Sequence, residues 1–233
     1  MSNSPMKPFS LTYVRYPEDD LLGALLALAS LMPFCIIVAT FGAFFARREL
    51  WDIGTLLGIL ANEILAQTLK HIIKEPRPPT CAAVDFCKTS GMPSSHAQLA
   101  WFACAVAVLN LRRRQAAHTS TTVTILNPFA KILVYSNVPM AAAVTVSRVY
   151  LGYHSVEQVL AGTFVGLVAG AFWHFCVMVP VAKMLHLSDS VGVFGYITHL
   201  TGLRDSSLVA DPEGIARKAL ATNALGTRKS PRR

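Results

Sequence analysis

Between Leu21 and Ala46 the chain carries no charged residue. A stretch of this length satisfies its backbone in lipid only as a helix, because nothing in hydrocarbon bonds a free N–H or C=O. Pro33 predicts a kink within it. Four more segments read as spans: about Leu50 to His71, interrupted by Asp52, Asn62 and Glu63, and about Ala97 to Leu111, which is short unless Pro93-Ser94-Ser95-His96 forms its first turn. The fourth starts at Asn127-Pro128, a cap and first helical residue, and ends near Ser147; the fifth covers roughly Val156 to Val181. Composition agrees, with 53% hydrophobic and 15% charged residues where a soluble domain has roughly 45–50% and ~25%. A cytosolic enzyme, a disordered chain and a disulfide scaffold are thereby excluded.

The net charge is +8, which in a soluble protein would suggest nucleic acid. Here the arginines flank apolar segments and no nucleic-acid module is present, so the partner is a membrane. One side collects Arg47, Arg48, Arg112, Arg113, Arg114 and Lys131, then Arg217, Lys218, Arg228, Lys229, Arg232 and Arg233. That side is expected to be cytosolic. The other receives the N-terminus, where Glu18, Asp19 and Asp20 outnumber Lys7 and Arg15, together with the Lys70 to His96 and Ser147 to His154 connections. The expected organisation is a non-cytosolic segment (residues 1–20), a membrane domain (21–182), and a cytosolic interfacial segment with a basic tail (183–233). Val191 to Leu200 is too short to span and suits the interface. Cys35, Cys104 and Cys176 lie in apolar runs as small hydrophobes, whereas Cys81 and Cys87 share a polar loop and pair if it faces an oxidising compartment.

Three polar clusters fall on the non-cytosolic side. In the first, Lys70 and Arg77 leave the second helix through a proline-stiffened turn. An arginine fork and a lysine point charge together suit an anion whose charge shifts among its oxygens. In the second, Gly91-Met92-Pro93-Ser94-Ser95-His96 opens the third helix, aiming free N–H groups at an anion, with hydroxyls from Ser94 and Ser95 and a proton donor in His96. In the third, Arg148 adds a cation and His154 a ring nitrogen able to act as nucleophile, provided that Gln158 or Glu157, four and three residues on, orients the ring. Each cluster alone has a bland reading, as snorkelling bases, a serine cap or an interfacial histidine. Their convergence on one face is what points to chemistry. Glu63, Gln67, Lys70 and Lys74 share one face of the second helix, where Glu63 serves either a neighbouring helix or the site, and Tyr150 and Tyr153 suit an aromatic interface belt.

Lys-x6-Arg-Pro, Pro-Ser-x-His and Ser-Arg-x5-His, in this order between apolar helices, resemble the three motifs of the type 2 phosphatidic acid phosphatase and haloperoxidase superfamily. The resemblance runs from about Leu50 to Val181. It implies an all-α polytopic bundle of about five spanning helices with the active-site loops on the non-cytosolic face. It further implies that Lys70, Arg77, Arg148, Ser94 and Ser95 bind phosphate, that His96 is the acid for the leaving group, and that His154 is the nucleophile forming a phosphohistidine. No cofactor or metal is expected. Two positions depart from the pattern: Ser95 stands where the second motif usually has Gly, and Gln158 where the third usually has Asp. A neutral amide orients a ring N–H but stabilises imidazolium less well than a carboxylate. With Asn62-Glu63, these departures resemble the eukaryotic dolichyl diphosphate phosphatase branch. That implies release of the terminal phosphate of a polyprenyl diphosphate lipid at the lumenal face of the endoplasmic reticulum, recycling the carrier of N-glycosylation. A phosphatase of another lipid phosphate, such as a sphingoid base phosphate or phosphatidic acid, and a non-hydrolytic phospholipid transporter are the alternatives.

Overall fold

The computed structural model describes residues 6–9, 14–85, 87–118, 128–187 and 202–203. The elements are β1 (Met6–Phe9), β2 (Val14–Pro17), α1 (Leu21–Ala29), α2 (Met32–Arg47), α3 (Leu50–Ile73), α4 (Ser95–His118), α5 (Pro128–Tyr135), α6 (Asn137–Tyr150), α7 (Val156–Phe172) and α8 (Val179–Leu187). Among the described residues, four stretches are long and apolar enough to cross a membrane: Leu21–Arg47, Leu50–Ile73, Lys131–Tyr150 and Val156–Met184. Helix α4, expected as the third of the five spans, packs against α3, α6 and α7. Because much of its surface meets protein rather than lipid, it tolerates a more polar sequence. It starts at Ser95, so Ser95 and His96 do form its first turn, and it continues to His118. The interfacial stretch at Val191 to Leu200, Asn127 and the tail beyond Leu203 lie outside the described residues.

Local chemistry explains the breaks. The first span divides at Ser30 and Leu31, immediately before Pro33, which sits in the first turn of α2. The fourth divides at Ser136, and α6 then runs on through Arg148 to Tyr150. In the last span a widened turn, Trp173–Met178, separates α7 from α8 just ahead of Pro180, whose ring supplies no N–H to the ladder. A short antiparallel hairpin of β1 and β2, absent from the sequence expectation, precedes α1. Its Val14 packs with Ala27, Val84, Leu151 and Tyr153 over the loops at that end of the bundle.

Helix α7 lies directly against the backbone of α4. Gly162, Gly166 and Gly170 occupy one stripe of α7, and a Cβ at Gly162 would lie 2.5 Å from the Ser94 carbonyl oxygen. At Gly166 it would collide with the carbonyl of Gln98. Bare glycine lets the two backbones meet, the usual way helices associate where lipid removes the hydrophobic drive. Side chains on the outer faces remain apolar and exposed, among them Phe34, Phe41, Leu60, Phe164 and Phe172, as lipid contact requires. Gly166→Ala is expected to lose about 1–3 kcal/mol through overpacking, read as a lower melting temperature in detergent. Gly42→Ala, with nothing within 4 Å of the new methyl, leaves it unchanged or raised.

Candidate active site

The motif residues meet at one end of the bundle. Lys70, in the last turn of α3, donates from Nζ to Ser95 Oγ at 3.1 Å. Past a left-handed Lys74 the chain turns extended, and Arg77 reaches inward. Its Nε and Nη2 donate to Thr89 Oγ1 at 3.2 and 3.1 Å, and Nη1 donates to the Tyr153 carbonyl at 2.8 Å. Nη1 also lies 3.1 Å from His154 Nε2. Arg148, 4% exposed, stacks its guanidinium over the Tyr153 ring at 3.9 Å. His96 has Arg148, His154, Lys70 and Arg77 as electrostatic neighbours. Lys70, Arg77, Ser94, Ser95, His96, Arg148, His154 and Gln158 thus form a single cluster.

The tautomer of His154 follows from its neighbours. A guanidinium only donates, so Nε2 accepts and presents its lone pair, leaving the proton on Nδ1. Nδ1–H then donates to Gln158 Oε1 at 3.2 Å. Gln158 is itself fixed: its Nε2 donates to Glu75 Oε1 at 2.9 Å and to the Pro76 carbonyl at 2.8 Å. Rotating the amide would set its oxygen against those two acceptors, so only one orientation fits. Of the two orienters considered, Glu157 is exposed on the first turn of α7, and Gln158, 1% exposed, reaches the ring. Gln158 also closes a capping box with Ser155, and its backbone carbonyl accepts from Ser94 N–H at 3.0 Å.

Burial, then the charges of Arg148 and Arg77, push the His154 pKa down to about 3. The imidazole is therefore neutral near pH 7, with its lone pair on Nε2. Burial also lowers Arg77, which stays cationic throughout the physiological range. Among the described residues, Ser94 Oγ and Arg148 Nε are buried with no hydrogen-bond partner. A buried cation and hydroxyl left in this state carry a substantial penalty that an incoming anion removes.

Some participants escaped the sequence reading. Thr89 holds Arg77 from an otherwise featureless loop. Tyr153 is 5% exposed, a correction to its expected place in an interfacial belt: its hydroxyl accepts from Arg15 N–H at 3.0 Å, tying the hairpin to the site. Tyr150 is the exposed one, donating to Asp20 Oδ2 at 2.8 Å. Gly91 abuts Gln158, with no room for a side chain. Only its position beside the second motif hinted at this. Glu63 accepts from Gln67 on its own helix, and Asn62 Oδ1 accepts from Gln98 of α4 at 3.0 Å.

Acidification should reveal the buried neutral ring. Below the unfolded value of 6.5, the unfolded chain binds a proton that the folded chain refuses until about pH 3, so stability falls as pH drops through that window. The limit is about 1.4 kcal/mol per pH unit. Melting temperatures measured downward from pH 6.5 should fall less steeply for His154→Gln than for the native chain.

The PAP2 superfamily model matches residues 52–180, which contain all three motifs. Dolichyldiphosphatase 1 of Homo sapiens is 36% identical over 72% of this chain and 70% of its own length. Dolichyldiphosphatase of Saccharomyces cerevisiae is 33% identical over 75% and 72%, and lipid phosphate phosphatase gamma of Arabidopsis thaliana is 34% identical over 74% of each. No solved structure matches significantly. On the matched stretch, the identities and the site built within it, the chain belongs to the PAP2 superfamily.

Proposed function

We propose that the chain hydrolyses dolichyl diphosphate to dolichyl phosphate and inorganic phosphate at the lumenal face of the endoplasmic reticulum membrane, recycling the lipid carrier for N-glycosylation. The observation that carries this reading is the buried set of Lys70, Arg77 and Arg148 around a neutral His154, with Arg148 Nε and Ser94 Oγ awaiting acceptors. A terminal phosphate supplies those acceptors. As its oxygens take over the donors of Arg77, Nε2 of His154 is released to attack phosphorus in line with the bridging oxygen. The bound phosphate offsets the cations around His96, whose ring then carries a proton and gives it to that departing oxygen, and water cleaves the phosphohistidine. The cations stabilise charge in the transferring group throughout.

The relatives named dolichyldiphosphatase support this substrate over other lipid phosphates. Two features support the lumenal side. Arg47 ends α2 and Arg112 to Arg114 lie in the last two turns of α4, away from the motif loops, in the arrangement expected of cytosolic residues. Cys81 and Cys87, in the loop following Arg77, are joined with Cα atoms 5.2 Å apart, and such bonds persist in oxidising compartments.

Purified protein should release phosphate from dolichyl diphosphate faster than from phosphatidic acid or a sphingoid base phosphate, with or without chelator. His154→Ala should lower the rate by about 10³-fold or more while head-group binding persists. Faster turnover of phosphatidic acid, or unchanged release by the variant, overturns the assignment. A glycosylation acceptor placed near Lys88 should be modified and one after Leu203 should not; the reverse pattern overturns the orientation. Cys81 and Cys87 should resist alkylation until a reductant is added.

A further inference from the structure

Attack by His154 creates a charge that its immediate partner cannot balance. The Nε2 lone pair forms the new N–P bond while the bridging P–O bond breaks, and its electron pair leaves with the dolichyl phosphate oxygen, which takes the proton of His96. The ring keeps its Nδ1 hydrogen throughout, so it becomes a cationic N-phosphoimidazolium. Lys70, Arg77 and Arg148 already crowd this cluster with positive charge, and the group facing Nδ1 is a neutral carboxamide. A carboxylate stands one group further out. Glu75 Oε1 accepts one amide hydrogen of Gln158 at 2.9 Å, and the Pro76 carbonyl accepts from the same nitrogen at 2.8 Å.

The geometry points to Glu75 as a positioning residue that acts on His154 through Gln158 and supplies the negative charge that the amide lacks. Drawing on both amide hydrogens polarises the carboxamide, which makes Oε1 a stronger acceptor for Nδ1–H. The carboxylate also sets the only orientation in which Oε1 faces the ring. The placement is rigid: Glu75 follows the left-handed Lys74, its own carbonyl accepts Gly91 N–H at 2.7 Å, and the bare Cα of Gly91 leaves space for the Gln158 amide. The first, second and third motif stretches therefore meet at this relay. The neutral residue at position 158 and the acidic residue at position 75 are two halves of one device.

This inference rests on the proposed nucleophilic role of His154, and the test separates the two. Glu75→Gln keeps shape and an acceptor oxygen but removes the charge. It should lower kcat by about 10- to 100-fold, the scale of effect seen when a metal-bound histidine loses its outer partner, with KM within about twofold because the phosphate-binding cations are untouched. Gln158→Glu alone should also be impaired, since two carboxylates then face each other. The double substitution Glu75→Gln with Gln158→Glu exchanges the groups, restoring one amide-to-carboxylate bond with an anion against Nδ1–H. It should recover kcat at least about tenfold over the worse single variant. Wild-type kcat in Glu75→Gln, a loss confined to KM, or a folded double variant no better than the worse single one overturns the role of Glu75. Retained activity in His154→Ala, run alongside, overturns the nucleophile itself. Should Glu75→Gln fail to fold by melting analysis, Glu75→Asp and the double variant decide: folded chains lacking recovery count against the relay.

Discussion

The carboxamide of Gln158 is where three stretches of chain, the first two joined by a loop and the third reached only after α4, α5 and α6, become a single site. Its nitrogen binds Glu75 and Pro76 behind the first motif, its oxygen meets the His154 ring, and its backbone carbonyl holds the Ser94 N–H that opens α4. Such a group is fully committed, with no donor left for water and no second orientation of equal energy. Its position depends in turn on the glycine stripe of α7. Only because Gly162 and Gly166 let that helix lie on the backbone of α4 does the first turn of α7 come within hydrogen-bonding range of the first turn of α4.

Around this node the site holds cations where an isolated charge is costly. Arg148 leans on the Tyr153 ring, Lys70 on a serine hydroxyl, and Arg77 on a threonine, a carbonyl and the histidine itself. Cation–π contact and neutral acceptors stabilise a guanidinium without cancelling its charge, as internal carboxylates would. The site is thus electropositive and preorganised for an anion. Burial and the same field keep His154 unprotonated, so that on the proposed reading affinity for phosphate and nucleophilicity of the ring share a cause.

Much of this was legible in the chain. Pro33, the Asn127-Pro128 start and the serine-led opening of α4 are local signals, and the breaks and starts within the described residues fall close to them. The motif residues were singled out because phosphate chemistry would call for such side chains at helix ends, and the fold brings them into one cluster. Tyr153 was misplaced because an aromatic at a membrane border looks the same whether it faces headgroups or lies beneath an arginine. The hairpin of β1 and β2 was missed because two four-residue strands leave no periodic signature, and Thr89 because nothing distinguishes it from other loop threonines.

What the amino-acid order alone determined was the membrane setting, the helices and the inventory of reactive groups, since hydrophobic length, proline and capping residues act over a turn or two of chain. Tertiary structure decided which side chain faces His154 Nδ1, which ring nitrogen carries the lone pair, and that Glu75 bonds the Gln158 amide. Those choices depend on hydrogen bonds between residues some eighty positions apart. The direction of such bonds is set only when α4 and α7 have closed on one another.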